Sequence, residues 1–319
     1  MLGPQCTKPC ATGGNGHNGM VGVLIMKGQD VRRPGRARVI LGLLHLIRPI
    51  NCTMMGLAVI VGAILANPTL SYFYSLRIPF GFLAGFTLTA AAMTINDYHD
   101  RDIDAINEPA RPIPSGAVSL KAALFLTGLL SVVGLLFAYL TNVFCLIAAA
   151  LAWVGMMVYS TVGKRSGLAG NFLVSACVAT PFLYGSLAVV NMIQPNVLLF
   201  ASMAFFSNTG REVTKGIVDV KGDMSRNIKT LAVRLGERKA AIGAAALYVL
   251  AVCLSPIPLL LNLVSILFVP FVLITDLGLL WSSFILVRDP SLESARRIKR
   301  IVLYLFLIGL LAFVFGMFR

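Results

Sequence analysis

Residues 78–104 read IPFGFLAGFTLTAAAMTINDYHDRDID: an uncharged apolar run from Ile78 to Ile95, then Asn96-Asp97-Tyr98-His99-Asp100-Arg101-Asp102-Ile103-Asp104. A helix of roughly 20 apolar residues crosses the ~30 Å hydrocarbon layer of a bilayer, so the run reads as a membrane span with acids at its end. A second acidic stretch, Asp219-Val220-Lys221-Gly222-Asp223, comes just past the apolar run Val197 to Phe206. Only 13 of the 319 residues are acidic, and six of them fall in these two places. Charges at the edge of a bilayer core are costly and usually functional.

Working outward, 57% of the chain is apolar and 13% charged, with a mean hydropathy of +0.84. A soluble domain carries about 25% charged residues, so this chain belongs in lipid. Nine segments are long and apolar enough to cross, near residues 39–66, 78–98, 119–141, 143–161, 170–190, 196–215, 239–259, 263–287 and 301–318. The break between the seventh and eighth rests on Ser255-Pro256-Ile257-Pro258 and Asn262. Apolar character without alternation, with Gly and Ala throughout, predicts helices, since a barrel would alternate in segments of about ten residues. The expected fold is an all-α integral membrane bundle of nine transmembrane helices.

Basic residues orient the bundle. With a cytoplasmic amino terminus, 25 of the 27 Lys and Arg fall on that side and only Arg77 and Arg319 fall outside it, as the positive-inside bias requires. Both acidic clusters then open on the cytoplasmic face of the cell membrane, and the C-terminus lies outside. The formal net charge of +14 follows from this asymmetry and from anionic headgroups. Basic charge interleaved with spans argues against nucleic acid as the partner. Residues 1–38, Gly-rich and polar, read as a flexible cytoplasmic tail ahead of a membrane domain at 39–319; the patch Val21 to Met26 is too short for a span or a signal-peptide core. Cys6 and Cys10 lie in that tail without a second ligand pair, and Cys52, Cys145, Cys177 and Cys253 read as small core residues. Asp276, inside the eighth span, is expected to face the bundle with a polar partner.

Helical geometry turns the acids into a site. At about 100° per residue, Asp97, Asp100 and Asp104 lie near 0°, 300° and 340°, a face about 60° wide, while Asp102 points away. Glu212, Lys215, Asp219 and Asp223 again share one face, at spacings of three, four and four. Like charges this close repel unless a cation joins them. Hard oxygen donors in this number suit Mg2+, which keeps some waters and favours one or two carboxylates plus phosphate oxygens.

With these residues in place the chain resembles the UbiA superfamily of intramembrane prenyltransferases, over roughly residues 40–318. The shared features are an acidic motif after the second helix and another after the sixth. Arg48-Pro49-Ile50-Asn51-Cys52, the run Asn107 to Gly116, and Arg211-Glu212-Val213 leading to Asp219 and Asp223 are similar to the archaeal branch. Gly216 and Lys221 stand where that pattern carries acids. The resemblance implies a nine-helix bundle around a central cavity and a prenyl diphosphate as donor. It implies transfer of a geranylgeranyl group to geranylgeranylglyceryl phosphate, with an ether bond formed.

Metal ions clamp transferring phosphate oxygens, and the residues expected to hold Mg2+, directly or through water, are Asn96, Asp97, Asp100, Asp104, Asp219 and Asp223. Of these, Asp97, Asp100, Asp219 and Asp223 carry the catalytic expectation. Arg101, Lys164 and Lys215 are candidates for the diphosphate, with Tyr159 hydrogen-bonding nearby. Arg48, Arg111, Lys229 and Arg234 are available to an acceptor phosphate, with Asn51 one turn further in from Arg48. The aromatic faces of Tyr98 and Tyr159 suit a carbocation. The partners implied are the prenyl donor, a lipid-like acceptor and membrane lipids; no protein partner is called for. Two alternatives stay open: an aromatic acceptor on the same fold, and a divalent-cation transporter, which would need acids near the bilayer midplane in several helices.

Overall fold

The computed structural model describes residues 35–68, 75–225 and 228–318, with the side chain of Lys164 outside it. Among the described residues every regular element is helical. The first expected span is two helices, α1 (Arg36–Ile47) and α2 (Pro49–Ala66), broken at Arg48, whose φ of 52° is left-handed. Pro49 is the cause: it bars the preceding residue from helical backbone and itself starts α2 at its first position. α3 (Arg77–Asn107) runs 31 residues, carrying the helix well past the apolar run and through every acid of the first motif.

The remaining long helices are α4 (Leu120–Thr141), α5 (Val143–Thr161), α6 (Leu168–Val190) and α7 (Pro195–Val218). Asn142 alone separates α4 from α5 and caps α5, accepting from the Cys145 N–H at 2.8 Å. Two short helices, α8 (Val220–Ser225) and α9 (Leu231–Leu235), follow. Then come α10 (Glu237–Leu254), the short α11 (Ile257–Leu260), α12 (Phe268–Arg288) and α13 (Leu292–Gly316). Among the described residues eight segments have the length and hydropathy of membrane spans. α7 is the ninth long one, made more polar by Ser207, Asn208, Thr209 and Arg211.

Three boundaries differ from expectation. Residues 1–34 of the expected tail lie outside the described residues, but Arg36 to Arg38 already belong to α1. α12 starts at Phe268, five residues late, because Asn262 turns with a positive φ of 53°. α13 starts at Leu292, nine residues early, capped by the Ser291 hydroxyl accepting from the Ser294 N–H at 3.3 Å. Arg296, Arg297, Lys299 and Arg300 are therefore helical rather than loop residues.

Packing follows membrane rules, in which small residues let backbones approach closely. α2 and α6 cross at Gly62 and Gly185, and a Cβ on either would overlap the other helix's backbone. Deeper in the bundle Phe313 of α13 meets Phe200 of α7 at 4.6 Å between ring centroids and Phe268 of α12 at 5.7 Å. Asp276 faces the bundle as expected, accepting from the Ser255 hydroxyl at 2.5 Å.

Candidate active site

Because α3 continues to Asn107, Asp97, Asp100 and Asp104 are all buried on one face and Asp102 is exposed. The second motif is built differently. α7 stops at Val218, Asp219 sits at the junction, and α8 turns Asp223 back toward α3. Gly222 permits this approach, since a Cβ there would come within 2.6 Å of the Asn107 amide and 2.8 Å of Ile103. The two motifs, over a hundred residues apart in the chain, thereby line one polar cavity: Asp100 and Asp104 from α3, Asp219 and Asp223 opposite, with Glu212, Lys215, Arg111 and Tyr159 completing the wall.

A second, larger cavity of about 670 Å3 adjoins it, sharing Arg111, Tyr159, Glu212 and Lys215. Its wall includes Asn96, Asp97, Arg48, Asn51 and Arg211. It continues past Met93, Met156 and Leu303 into an apolar chamber bounded by Met54, Leu88, Trp153 and Tyr184. That volume falls within the roughly 300–1,000 Å3 of small-molecule sites, and the sequence of acidic, basic and apolar walls suits a molecule with a phosphorylated head and a hydrocarbon tail.

Ion pairs hold the polar end together. Arg48 donates to Asp97 Oδ1 at 2.7 Å. Arg111 bonds Asp104 at 2.7 Å and Glu108 at 2.8 Å, and reaches Asp97 at 3.4 Å. Burial works against the Arg111 charge, but the three carboxylates outweigh it and raise its pKa. Burial likewise pushes Glu108 up, and Arg111 with Lys299 outweighs it, holding the carboxyl below its ordinary value. Across the cavity the balance reverses: burial, with Asp219 adding to it, pushes Asp223 up to about 7. Asp219 is raised too, chiefly by burial and against the pull of Lys215. Glu212 accepts from the Tyr159 hydroxyl at 3.3 Å and pairs with Arg211 at 3.4 Å and Lys215 at 3.8 Å.

Among the described residues no three Asp, Glu, His or Cys side chains converge on a single ion position. The donor set still fits Mg2+, because an ion bridging to phosphate needs only one or two carboxylates and fills its shell with water and phosphate oxygens. The raised Asp223 and Asp219 are carboxylates short of cationic compensation, which such an ion would supply. Asp97 is different: its carboxylate is already engaged by two guanidinium groups. Asn96 braces the site, donating its amide to Asp100 Oδ2 at 2.9 Å.

Four expected residues are not brought in: Arg101, Tyr98, Lys229 and Arg234. Arg101 lies one position from Asp100 but about 100° around the helix; its guanidinium sits 5.0 Å over the Tyr98 ring and donates to the Tyr98 carbonyl at 3.0 Å. Neither Arg101 nor Tyr98 lines these cavities. Lys229 is exposed, although its neighbours Ile228 and Thr230 line the acidic cavity; Arg234 is exposed as well. Lys164 is placed by its backbone in a 3-10 turn, Gly163–Ser166, between α5 and α6. Residues the sequence reading did not assign to the site are Arg211, Asn171, Thr230 and the α13 cations Arg296, Lys299 and Arg300. For Arg211 the signal was present, since it abuts Glu212 on the same helical turn.

The chain belongs to the UbiA prenyltransferase family, which matches residues 55–317. It is a multi-pass membrane enzyme of that fold. Among its relatives, digeranylgeranylglyceryl phosphate synthase of Archaeoglobus fulgidus is 36% identical over 277 residues, 86% of this chain and 94% of the other. A solved structure of a digeranylgeranylglyceryl phosphate synthase in membranes aligns with a TM-score of 0.66 at 29% identity, covering 88% of this chain and 98% of the other. A UbiA homologue from Archaeoglobus fulgidus bound to DMAPP and Mg2+ shares the fold, with a TM-score of 0.59 at 19% identity over 84% and 98% of the two chains.

Proposed function

We propose that this protein transfers a geranylgeranyl group from geranylgeranyl diphosphate to the free hydroxyl of geranylgeranylglyceryl phosphate, with Mg2+, forming an ether bond. The observation that carries the reading is the convergence of Asp100, Asp104, Asp219 and Asp223 on one cavity that opens through a basic chamber into an apolar one. The relatives named for this reaction match 86% and 80% of this chain.

Mg2+ bound by the cavity carboxylates would neutralise the diphosphate and stabilise it as a leaving group. Lys215 and Arg111, on the same wall, add fixed positive charge where negative charge develops. The C–O bond to the prenyl carbon breaks with its electron pair leaving on diphosphate. The acceptor oxygen then bonds that carbon, and the hydroxyl proton departs with the diphosphate. Glu212 lines all three cavities and aims Tyr159, Lys215 and Arg211. The methionine-rich apolar walls exclude the water that would otherwise capture the allylic cation. The cavity opens toward the cytoplasm, a sidedness supported by the basic loops; the amino terminus is cytoplasmic and the carboxyl terminus lies on the far side.

Purified protein in nanodiscs, given labelled geranylgeranyl diphosphate and Mg2+, should yield the digeranylgeranyl ether with the glycerol phosphate acceptor; transfer to 4-hydroxybenzoate alone would reject the assignment. Asp100→Ala and Asp219→Ala should each lower kcat on the order of a thousandfold without unfolding the protein. Asp102→Ala, an exposed carboxylate on the far face, should stay within about twofold. Equal effects of all three would dissociate the acids from catalysis.

A further inference from the structure

Lys299 is a cation that a membrane helix would ordinarily extend to the headgroups, yet it turns inward. Its ammonium lies 3.8 Å from Glu108 with 18% of the side chain exposed. With Arg296 and Arg300 it forms the α13 wall of the 670 Å3 chamber, facing Arg48 of the α1–α2 break and Arg211 of α7. That chamber is lined by seven Lys and Arg against three acids, Asp97, Glu108 and Glu212. The neighbouring cavity reverses the ratio, with five acids against Arg111 and Lys215. A metal-bridged diphosphate accounts for the acidic cavity and leaves the basic one without a ligand. Arg211 Nε is a buried donor with no acceptor, and Arg296 and Arg300 make no hydrogen bond or ion pair among the described residues. A buried donor left unmade is costly, and here it aims into a chamber whose other end is apolar.

We infer that Arg296, Lys299 and Arg300 of the last helix, with Arg211, form a metal-free phosphomonoester subsite that binds the acceptor's phosphate and selects phosphorylated over neutral lipid acceptors. The inference rests on the proposed function and assigns its second substrate a place. The acceptor's head would occupy the basic chamber, its chain the adjoining apolar one, and its hydroxyl the boundary at Glu212 and Tyr159, beside the donor's diphosphate. Arginine and lysine hold a dianionic phosphate without metal through charge-assisted hydrogen bonds. This separates the two phosphorylated substrates by chemistry: one binds through Mg2+, the other through guanidinium and ammonium.

The test compares wild type with Lys299→Met, Arg300→Ala and the double variant in nanodiscs of neutral phosphatidylcholine, using geranylgeranylglyceryl phosphate and its dephosphorylated counterpart as acceptors. Each removed cation should raise the KM for the phosphorylated acceptor roughly tenfold, leave the donor KM in place, and shrink the preference for the phosphorylated lipid; Lys299→Arg should restore most of it. Binding of the phosphorylated lipid measured in EDTA should be present in wild type and lost in the double variant. Unchanged selectivity with intact turnover overturns the subsite and spares the proposed function, whereas EDTA-resistant binding without any ether product spares the subsite and overturns the function. A parallel rise in donor KM would assign the cations to the diphosphate and overturn the inference. So would an effect confined to nanodiscs of anionic lipid, which would assign them to headgroups. Should Lys299→Met unfold, the exposed Arg296→Ala and Arg300→Ala carry the same measurements.

Discussion

Arg111 carries more of the first acidic motif than any aspartate does. Its guanidinium is the common partner of Asp97, Asp104 and Glu108, so Arg111→Ala leaves three carboxylates crowded at the cavity mouth. Breaking a buried pair on one side costs roughly 3–5 kcal/mol, and the melting temperature of the purified variant should fall accordingly, along with turnover. A variant as stable as wild type would show those carboxylates to be solvated. Asp223 gives a pH signature. Its folded value of about 7 lies above the ordinary carboxylate range, so in metal-free protein its contribution to stability is full at acid pH and is lost as pH rises through about 7. Mg2+ competes for the same oxygens, so its apparent affinity should climb over the same interval with proton release; isothermal titration at pH 6 and pH 8 in two buffers reads both, and a flat affinity would remove Asp223 from the ion's shell. The spacing of the acids was legible, because three- and four-residue intervals put them on one face whatever the rest of the chain does. The cations were not. Arg101, Lys229 and Lys299 all stand beside the ends of apolar runs in sequence, and only packing decides which one turns inward.

At the scale of elements, the crossing of α2 with α6 sets the width of the apolar chamber, since Met54 and Val59 on one helix and Tyr184 on the other form its wall. Gly62→Leu forces a side chain into the backbone of Phe182 and should cost about 1–3 kcal/mol or more by overpacking, lowering both the melting temperature in detergent and prenyl turnover. Unaltered stability would mean that the helices can part there without consequence. Hydropathy located this crossing only as two spans. The break at Arg48 escaped it because Pro is tolerated in membrane helices, and the early start of α13 escaped it because a helical turn beyond the apolar run looks the same as a charged loop. Both misread elements deliver a cation to the basic chamber.

For the whole molecule, the bundle and the meeting of the two acidic motifs were foreseeable, whereas the division into acidic, basic and apolar compartments was not, because it depends on which walls are shared. The ion pairs add something about origin. Among the described residues, Arg48 and Arg111 answer carboxylates within α1–α6 and their loops, and Arg211 and Lys215 answer Glu212 within α7, while Lys299 with Glu108 spans the two groups. Each portion therefore carries part of its counter-charge before the other is made: Asp97, Asp104 and Glu108 are answered within the first, and Glu212 within the second. Fragments 1–192 and 193–319, synthesised together as separate polypeptides, should therefore insert on their own and regain Mg2+-dependent turnover only on pairing. If the first is degraded unless covalently joined to the second, biogenesis follows some other order.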